Sequence, residues 1–378
     1  MYASISLAFA RRLRKFACNI LDERLFFFYN RRIQGVNNMA VTIKDVASLA
    51  GVSPSTVSRV CNDNPSISKE TRERVRRAMA QLGYEISPAS AIAQESRAIR
   101  MVGIILPASQ RETYDNSFYL EAIRGVSKYC NMHGAASMII TGRDDQEVLL
   151  ALENVRASGQ ADGFILMYSK KNDPVVEYLV EHGLLYVLIG KPSQSETPTI
   201  CIDNDNLLAG REATDYLYDL GHRRIAYLSS GNTYLFSSDR KSGYQLSMLQ
   251  HNLPVLEEDC VELDGLREGS TDKLRALLQR EDRPTAVVIS DDLLAVAVER
   301  ICIQIGLSIP EDLSVISFNN SILAQLTTPQ LTSMDVNSLQ LGYEAASQIA
   351  NHADNPNLMA SKITVPHRIV VRGSCKAI

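Results

Sequence analysis

The stretch Thr42–Asp63 reads T-I-K-D-V-A-S-L-A-G-V-S-P-S-T-V-S-R-V-C-N-D and predicts two short helices joined by a tight turn. Apolar residues recur at helical spacing up to Ala50, and Gly51 ends that helix because glycine enters the left-handed region without strain. Ser53 is a suitable N-cap for the second helix, and Pro54 fits its first turn. Helices joined in this way form a helix-turn-helix, whose second helix enters the major groove of DNA.

The outer face of the second helix carries hydroxyls and one arginine but no carboxylate. Acidic groups would repel phosphates, whereas Ser, Thr and Arg donate to phosphate oxygens or base edges. An ordinary helical hairpin with a polar outer face is the alternative interpretation. The predicted DNA contacts are Thr42, Lys44, Ser53, Ser55, Thr56, Ser58 and Arg59.

The same stretch matches the signature T-I-x-D-V-A-x-x-A-G-V-S-x-x-T-V-S-R-V almost without a break. It resembles the N-terminal DNA-binding motif of LacI/GalR repressors, and the order of elements from Thr42 to Arg372 is similar to that of the family. The resemblance implies an α/β protein. Its N-terminal three-helix helix-turn-helix domain would precede two Rossmann-like, doubly wound lobes that resemble periplasmic sugar-binding proteins.

Composition limits the classes of partner and cofactor. The chain has 378 residues, 45% of them hydrophobic, which suffices for two or three domains with buried cores. A net charge of -4 means that any contact with DNA must come from a local basic patch. The seven cysteines are widely spaced without a C-x-x-C pair, which favours a reduced, cytoplasmic protein and indicates no zinc site. No apolar run is long enough to predict a membrane span.

Short apolar segments alternate with amphipathic ones after residue 100, which predicts parallel, doubly wound sheets. The predicted strands are Met101–Leu106, Ala136–Thr141, Gly163–Met167, Tyr186–Gly190, Arg224–Ser229, Ala286–Ser290 and Ser314–Phe318. The predicted helices between them are Phe118–Met132, Gln146–Ser158, Pro174–His182, Asn206–Leu220, Asp239–His251, Ser270–Gln279 and Asp291–Ile305.

These elements suggest a division of the chain into four parts. Residues 1–38 are interpreted as a poorly ordered extension before a start at Met39; a basic amphipathic helix that touches a membrane or DNA is the alternative. Residues 39–84 form the helix-turn-helix domain, 85–100 a hinge, and 101–376 an effector-binding and dimerisation domain. Its first lobe is predicted at about 101–199 plus 334–352, and its second at about 200–333 plus 353–376. The predicted crossings between lobes are Thr199–Ile202, Ser333–Val336 and Ala350–Asn357.

The family resemblance also assigns a role to the hinge. In that family the linker folds into a helix on operator DNA and pushes a leucine into the minor groove, which kinks the duplex. The corresponding residues here are Ile92 and Ala93. Ile92 is the candidate wedge, out of register with the family pattern.

Ligands of open α/β sheets bind beyond the carboxyl ends of the strands. Planar polar side chains and aromatic rings follow several predicted strands, a combination typical of carbohydrate sites. Singly, each could instead be a strand-end cap or a loop residue, and Asp203 and Asn204 are interpreted as caps of the helix that begins near Asn206. By resemblance, Arg240 in D-R-K-S-G-Y matches the family's effector-binding arginine. The predicted effector contacts are Asn116, Phe118, Tyr168, Lys191, Phe236, Arg240, Asp291, Phe318 and Asn319.

The segments I-G-K-P, I-D-N-D-N-L-L-A-G and D-R-K-S-G-Y look most like those of maltose-operon regulators in Gram-positive bacteria. The resemblance implies a homodimeric repressor that responds to maltose or a maltodextrin. Another sugar, a purine or a phosphoprotein co-repressor are alternatives, and a sugar-binding module without DNA function is a distant one. Nucleotide-binding, zinc-protease and serine-hydrolase motifs are absent from the sequence, so we expect neither an enzyme nor a cofactor or metal.

Overall fold

The computed structural model describes residues 43–61, 67–82, 99–108, 116–193, 198–230, 233–263 and 270–378. The chain divides into two units, residues 1–91 and 92–378. Thr42, the predicted extension at 1–38 and the hinge residues Ile92 and Ala93 lie outside the described residues. Among the described helices, none combines the length and apolar character that crossing a bilayer requires.

The first unit contains three helices around one core. They are α1 (Ile43–Ala50), α2 (Pro54–Cys61) and α3 (Lys69–Leu82). Val46, Val57 and Val75 contribute one fully buried side chain from each helix. The predicted three-helix domain is therefore confirmed.

The turn between α1 and α2 has the predicted caps. Gly51 is left-handed, with φ at +64°, and Val52 N donates to Ala47 O at 3.0 Å. Thr56 N donates to Ser53 Oγ at 3.2 Å, which closes the first turn of α2. Glycine is favoured here because a side chain at this φ is strained, whatever space surrounds it.

The second unit contains two sheets. Its strands are β1 (Met101–Ile105), β2 (Ala136–Ile140), β3 (Gly163–Leu166), β4 (Tyr186–Ile189), β5 (Ile200–Asp203), β6 (Ile225–Ser229), β7 (Cys260–Glu262), β8 (Ala286–Ile289), β9 (Ser314–Phe318), β10 (Thr332–Asp335), β11 (Lys362–Thr364) and β12 (Arg368–Val370). Its helices are α4 (Ser117–Met132), α5 (Asp145–Ser158), α6 (Pro174–Glu181), α7 (Asn206–Asp219), α8 (Leu235–Gln250), α9 (Ser270–Leu278), α10 (Asp292–Ile305), α11 (Ile322–Leu326) and α12 (Ser338–Asp354).

Each sheet has six strands and forms one lobe. The orders are β11-β5-β4-β3-β1-β2 and β12-β10-β9-β8-β6-β7. Neighbouring strands are parallel, as predicted, except that the edge strand β12 runs antiparallel to β10. The two-lobed, doubly wound α/β fold is confirmed.

The lobe boundaries differ from the predicted ones. Strand β5 belongs to the first sheet rather than to a crossing, because Ile200 and Ile202 are buried in the first lobe's core. Helix α12 also packs in that core, so residues 350–354 continue a helix where a crossing was expected. Strand β10 likewise occupies most of the predicted crossing Ser333–Val336, and the chain crosses at 204–205, 336–337 and 365–367.

Candidate functional site

A cavity lies between the two lobes at the carboxyl ends of their strands. Most of the predicted effector contacts line it: Asn116, Phe118, Tyr168, Phe236, Arg240, Asp291 and Asn319. The expectation that ligands bind beyond the carboxyl ends of the strands therefore selected side chains that are far apart in the sequence but line one cavity.

Arg240 is the central cation of the cavity. Its Nε donates to Asn206 Oδ1 at 3.0 Å, and its Nη1 donates to Ser290 O at 2.7 Å. The guanidinium carbon lies 4.9 Å from the ring centroid of Phe236 and 4.3 Å from that of Phe318. Burial lowers the pKa of Arg240 to about 10, so it stays charged at neutral pH. A buried arginine has five N–H donors, more than these two bonds use.

Close packing of α7 against α8 fixes the backbone at Arg240. A Cβ placed on Gly210 of α7 would lie 2.2 Å from Arg240 O and 2.8 Å from its Cα. No side chain fits at that distance, so glycine at 210 permits the approach. Sequence periodicity predicted α7 but did not predict this contact.

Two predicted effector contacts lie outside the cavity lining. Phe318 is fully buried in the second lobe, where its ring lies against the guanidinium of Arg240. Lys191 Nζ forms an ion pair with Asp239 of α8, and 49% of its side chain is exposed. Lys191 therefore contacts the opposite lobe, where the sequence predicted a contact with the ligand.

Two polar contacts in the cavity also cap helices. Asp291 Oδ1 accepts from Leu294 N at 2.9 Å, and Asn116 Oδ1 accepts from Phe118 N at 3.0 Å. Burial raises the pKa of Asp291. Asn116 and Asp291 therefore cap helices and also lie on the cavity wall.

The sequence did not predict cavity positions for Asp203, Asn204 and Asn206, which also line it. Asp203 and Asn204 were assigned to capping α7, but Asp205 caps it by accepting from Leu208 N at 2.8 Å. Asp203 Oδ1 accepts instead from Asn204 N at 2.8 Å and from Asn206 Nδ2 at 2.9 Å. Burial raises the pKa of Asp203 to about 6.

The mouth of the cavity is closed by contacts between the lobes. Leu235 N donates to Ser169 O at 3.0 Å, and Lys170 and Tyr234 form an antiparallel bridge. The cavity volume is about 50 Å³, room for a few water molecules. A sugar ring needs more space than this, so its binding would require the lobes to separate at the mouth.

Tyr168 lies on the wall of the cavity and is 2% exposed. Its hydroxyl lies beside the carboxylate of Asp173, which acts on it as a hydrogen-bond acceptor. Burial and the nearby charge of Asp173 raise its pKa, so the phenol stays protonated and can donate.

Except for Thr42, which lies outside the described residues, the candidate DNA-binding residues lie on α1, α2 and the turn between them. Lys44 is in α1, and Ser55, Ser58 and Arg59 are in α2; the structure does not describe these four side chains. Ser53 is exposed, and its Oγ lies 2.9 Å from Thr56 Oγ1. Within the described part of the chain, no cluster of His, Cys, Asp and Glu is arranged to hold a metal ion.

Comparison with known proteins identifies the family. Residues 42–87 match bacterial regulatory proteins of the lacI family, and residues 214–375 match a periplasmic binding protein-like domain. The HTH-type transcriptional regulator MalR of Staphylococcus xylosus is 33% identical over 338 residues, 89% of this chain and 99% of that protein. The chain belongs to the lacI family. It is a DNA-binding transcriptional repressor of that family.

Two further relatives of this lacI-family repressor cover most of its length. Catabolite control protein A of Priestia megaterium is 31% identical over 89% of this chain and 100% of that protein. The structure of the transcriptional regulator CelR with cellobiose has 28% identity and a TM-score of 0.67, and the match covers 89% of this chain and 100% of that one. Relatives at this level of identity thus include regulators with different names, one of them solved with cellobiose.

Proposed function

We propose that this repressor binds a pseudo-palindromic operator as a homodimer and that a small sugar between its lobes controls operator affinity. Maltose or a maltodextrin is the proposed effector. The observation that carries the proposal is the buried Arg240, stacked on Phe236 and surrounded by the acceptors Asp203 and Asp291. Charged donors and acceptors fix sugar hydroxyls, and aromatic rings cover the apolar faces of the sugar.

The closed mouth suggests how a sugar would act. A ligand that bonds Arg240 from one lobe and Asn116 or Tyr168 from the other favours one arrangement of the lobes over others. It shifts the population only by its difference in affinity between those arrangements. The operator-binding arrangement is the one that the sugar disfavours.

The DNA contacts are proposed for α2 and its flanks. Arg59 has the charge and length to reach phosphate or guanine, and Lys44 is proposed to contact phosphate. Thr42, Ser53, Ser55, Thr56 and Ser58 supply hydroxyls. In the hinge, which includes Ile92 and Ala93, Ile92 is the proposed minor-groove wedge.

Exposed apolar side chains at one edge of the first lobe support the homodimer. Leu120 and Met132 of α4 are 61% and 66% exposed, and Ile139 of the edge strand β2 is 53% exposed. Such residues at a sheet edge favour pairing with a second chain. An operator-binding function places the protein in the cytoplasm, where the described cysteines, which are free thiols, remain reduced.

Selection from randomised duplex DNA tests the DNA half of the proposal. We expect recovery of a pseudo-palindrome, with binding lost in Arg59→Ala and kept in Arg300→Ala, a matched change of an exposed arginine on α10. Calorimetry with maltose, maltotriose, cellobiose and a purine tests the effector. Binding of maltose or maltotriose is expected, and a response to the purine alone would overturn the sugar assignment.

A further inference from the structure

The three segments that join the lobes meet at the side chain of Asn204. Asn204 Nδ2 donates to Val336 O at 3.0 Å and to Val365 O at 2.8 Å. Asn204 is 7% exposed, and Val336 and Val365 are 0% and 3% exposed. Because these residues lie in the crossings 204–205, 336–337 and 365–367, one amide group ties all three crossings together.

The chemistry of this position requires an amide. An asparagine Nδ2 carries two protons, and the two hydrogen bonds use both. Both partners are carbonyl oxygens, so the amide of Asn204 must turn its nitrogen toward them, because its own oxygen would be repelled there. An aspartate has the same size but would direct a carboxylate oxygen at the two carbonyl oxygens. In this buried site it would lose both hydrogen bonds and gain repulsion.

The first crossing is also connected to Arg240 by a continuous series of hydrogen bonds. Arg240 Nε donates to Asn206 Oδ1 at 3.0 Å, and Asn206 Nδ2 donates to Asp203 Oδ1 at 2.9 Å. The same Asp203 oxygen accepts from Asn204 N at 2.8 Å. A ligand that bonds Arg240 or Asp203 therefore perturbs a series of hydrogen bonds that ends at the junction of the three crossings.

We infer that Asn204 is the pivot about which the two lobes move, and that Asn206 is the positioning residue through which cavity occupancy reaches this pivot. Contacts at the mouth, such as Leu235 N to Ser169 O, break when the cavity opens. The bonds of Asn204 lie within the crossings, so they persist in the open and closed arrangements. The role of Asn206 rests on the proposed sugar-controlled function, whereas the pivot does not.

Hydrogen exchange of the full-length, ligand-free protein tests the pivot. Val365 N donates to Asp203 O at 2.8 Å, so its amide reports on the junction. In Asn204→Asp, we expect exchange in peptides that cover Val336 and Val365 to accelerate at least tenfold, with little change in α9. The control Asn252→Asp makes the same chemical change at an exposed site and is expected to match wild type.

Unchanged exchange at both valines in Asn204→Asp overturns the pivot. If that variant does not fold, Asn204→Ser replaces it, because a hydroxyl retains one donor. A smaller acceleration in the same peptides is then expected, and its absence overturns the pivot equally.

Operator binding with and without sugar tests Asn206. In Asn206→Ala, the change in operator Kd caused by saturating maltose or maltotriose is expected to be at least tenfold smaller than in wild type. A purely structural residue would lower Tm and leave this ratio intact, so an unchanged ratio overturns the role of Asn206. If neither sugar binds wild type, both the proposed effector and the role of Asn206 fall, while ligand-free exchange still decides the pivot.

Discussion

Replacing Arg240 by lysine tests the centre of the cavity most severely, because the charge is kept and the geometry is lost. A lysine ammonium on one stem cannot reproduce a planar fork directed at Asn206 Oδ1 and Ser290 O, 3.0 and 2.7 Å away. It also loses the flat stacking against Phe236 and Phe318. At least one hydrogen bond to a charged donor therefore disappears from any sugar complex.

A hydrogen bond to a charged group contributes about 1.5–3 kcal/mol. Since 1.4 kcal/mol corresponds to a factor of ten, Arg240→Lys should weaken sugar binding roughly 10- to 150-fold. Titration calorimetry with maltose and maltotriose measures this, with the exposed Arg124→Lys as the matched control. Operator affinity without sugar should stay within about twofold of wild type, since the DNA contacts are proposed for the other unit. Equal sugar affinity in Arg240→Lys and wild type would refute the central role of the guanidinium.

Three further predictions follow from the packing and the charges. Gly210→Ala and Gly125→Ala both force a Cβ against a helix backbone, at 2.2 and 2.0 Å, and should lower Tm alike; only Gly210→Ala, which meets Arg240, should also weaken sugar binding in calorimetry. Burial raises the pKa of Asp203 to about 6; the charge of Asp239 also raises it, and the charge of Arg240 lowers it. The Asp203 carboxylate therefore gains a proton as the pH falls through 6, and sugar affinity should fall over the same pH range. In Asp203→Asn, sugar affinity should depend less on pH. Sedimentation velocity should show Ile139→Glu as a monomer and Leu150→Glu, an exposed leucine on α5, still as a dimer.

The sequence predicted most of the fold because long amphipathic segments carry their own periodicity. It predicted the start of α8 at Asp239, although the helix begins at Leu235, because its N-cap Tyr234 makes no side-chain capping bond and so gives no signal. The short strands β7, β11 and β12 at the sheet edges also went unpredicted. Each has three residues, too few for a recognisable alternation.

The cavity was predictable where a recognised strand ends, as with Asn319 after β9. Asp203 was missed because the apolar run before it was taken as a crossing rather than as a strand. Asn204 could not have been found, since its partners Val336 and Val365 are 132 and 161 residues away. Lys191 was placed in the cavity by its position after a strand, whereas its ion pair with Asp239 depends on how the two lobes meet.

The most direct test of sugar-controlled repression is a fluorescence anisotropy titration of the selected operator with wild-type protein. Maltose or maltotriose is added at increasing concentration to the preformed complex. The account predicts that the protein dissociates from the operator as the sugar saturates and that Arg240→Lys needs about 10- to 150-fold more sugar for the same release. Undiminished operator binding across millimolar concentrations of both sugars would contradict it.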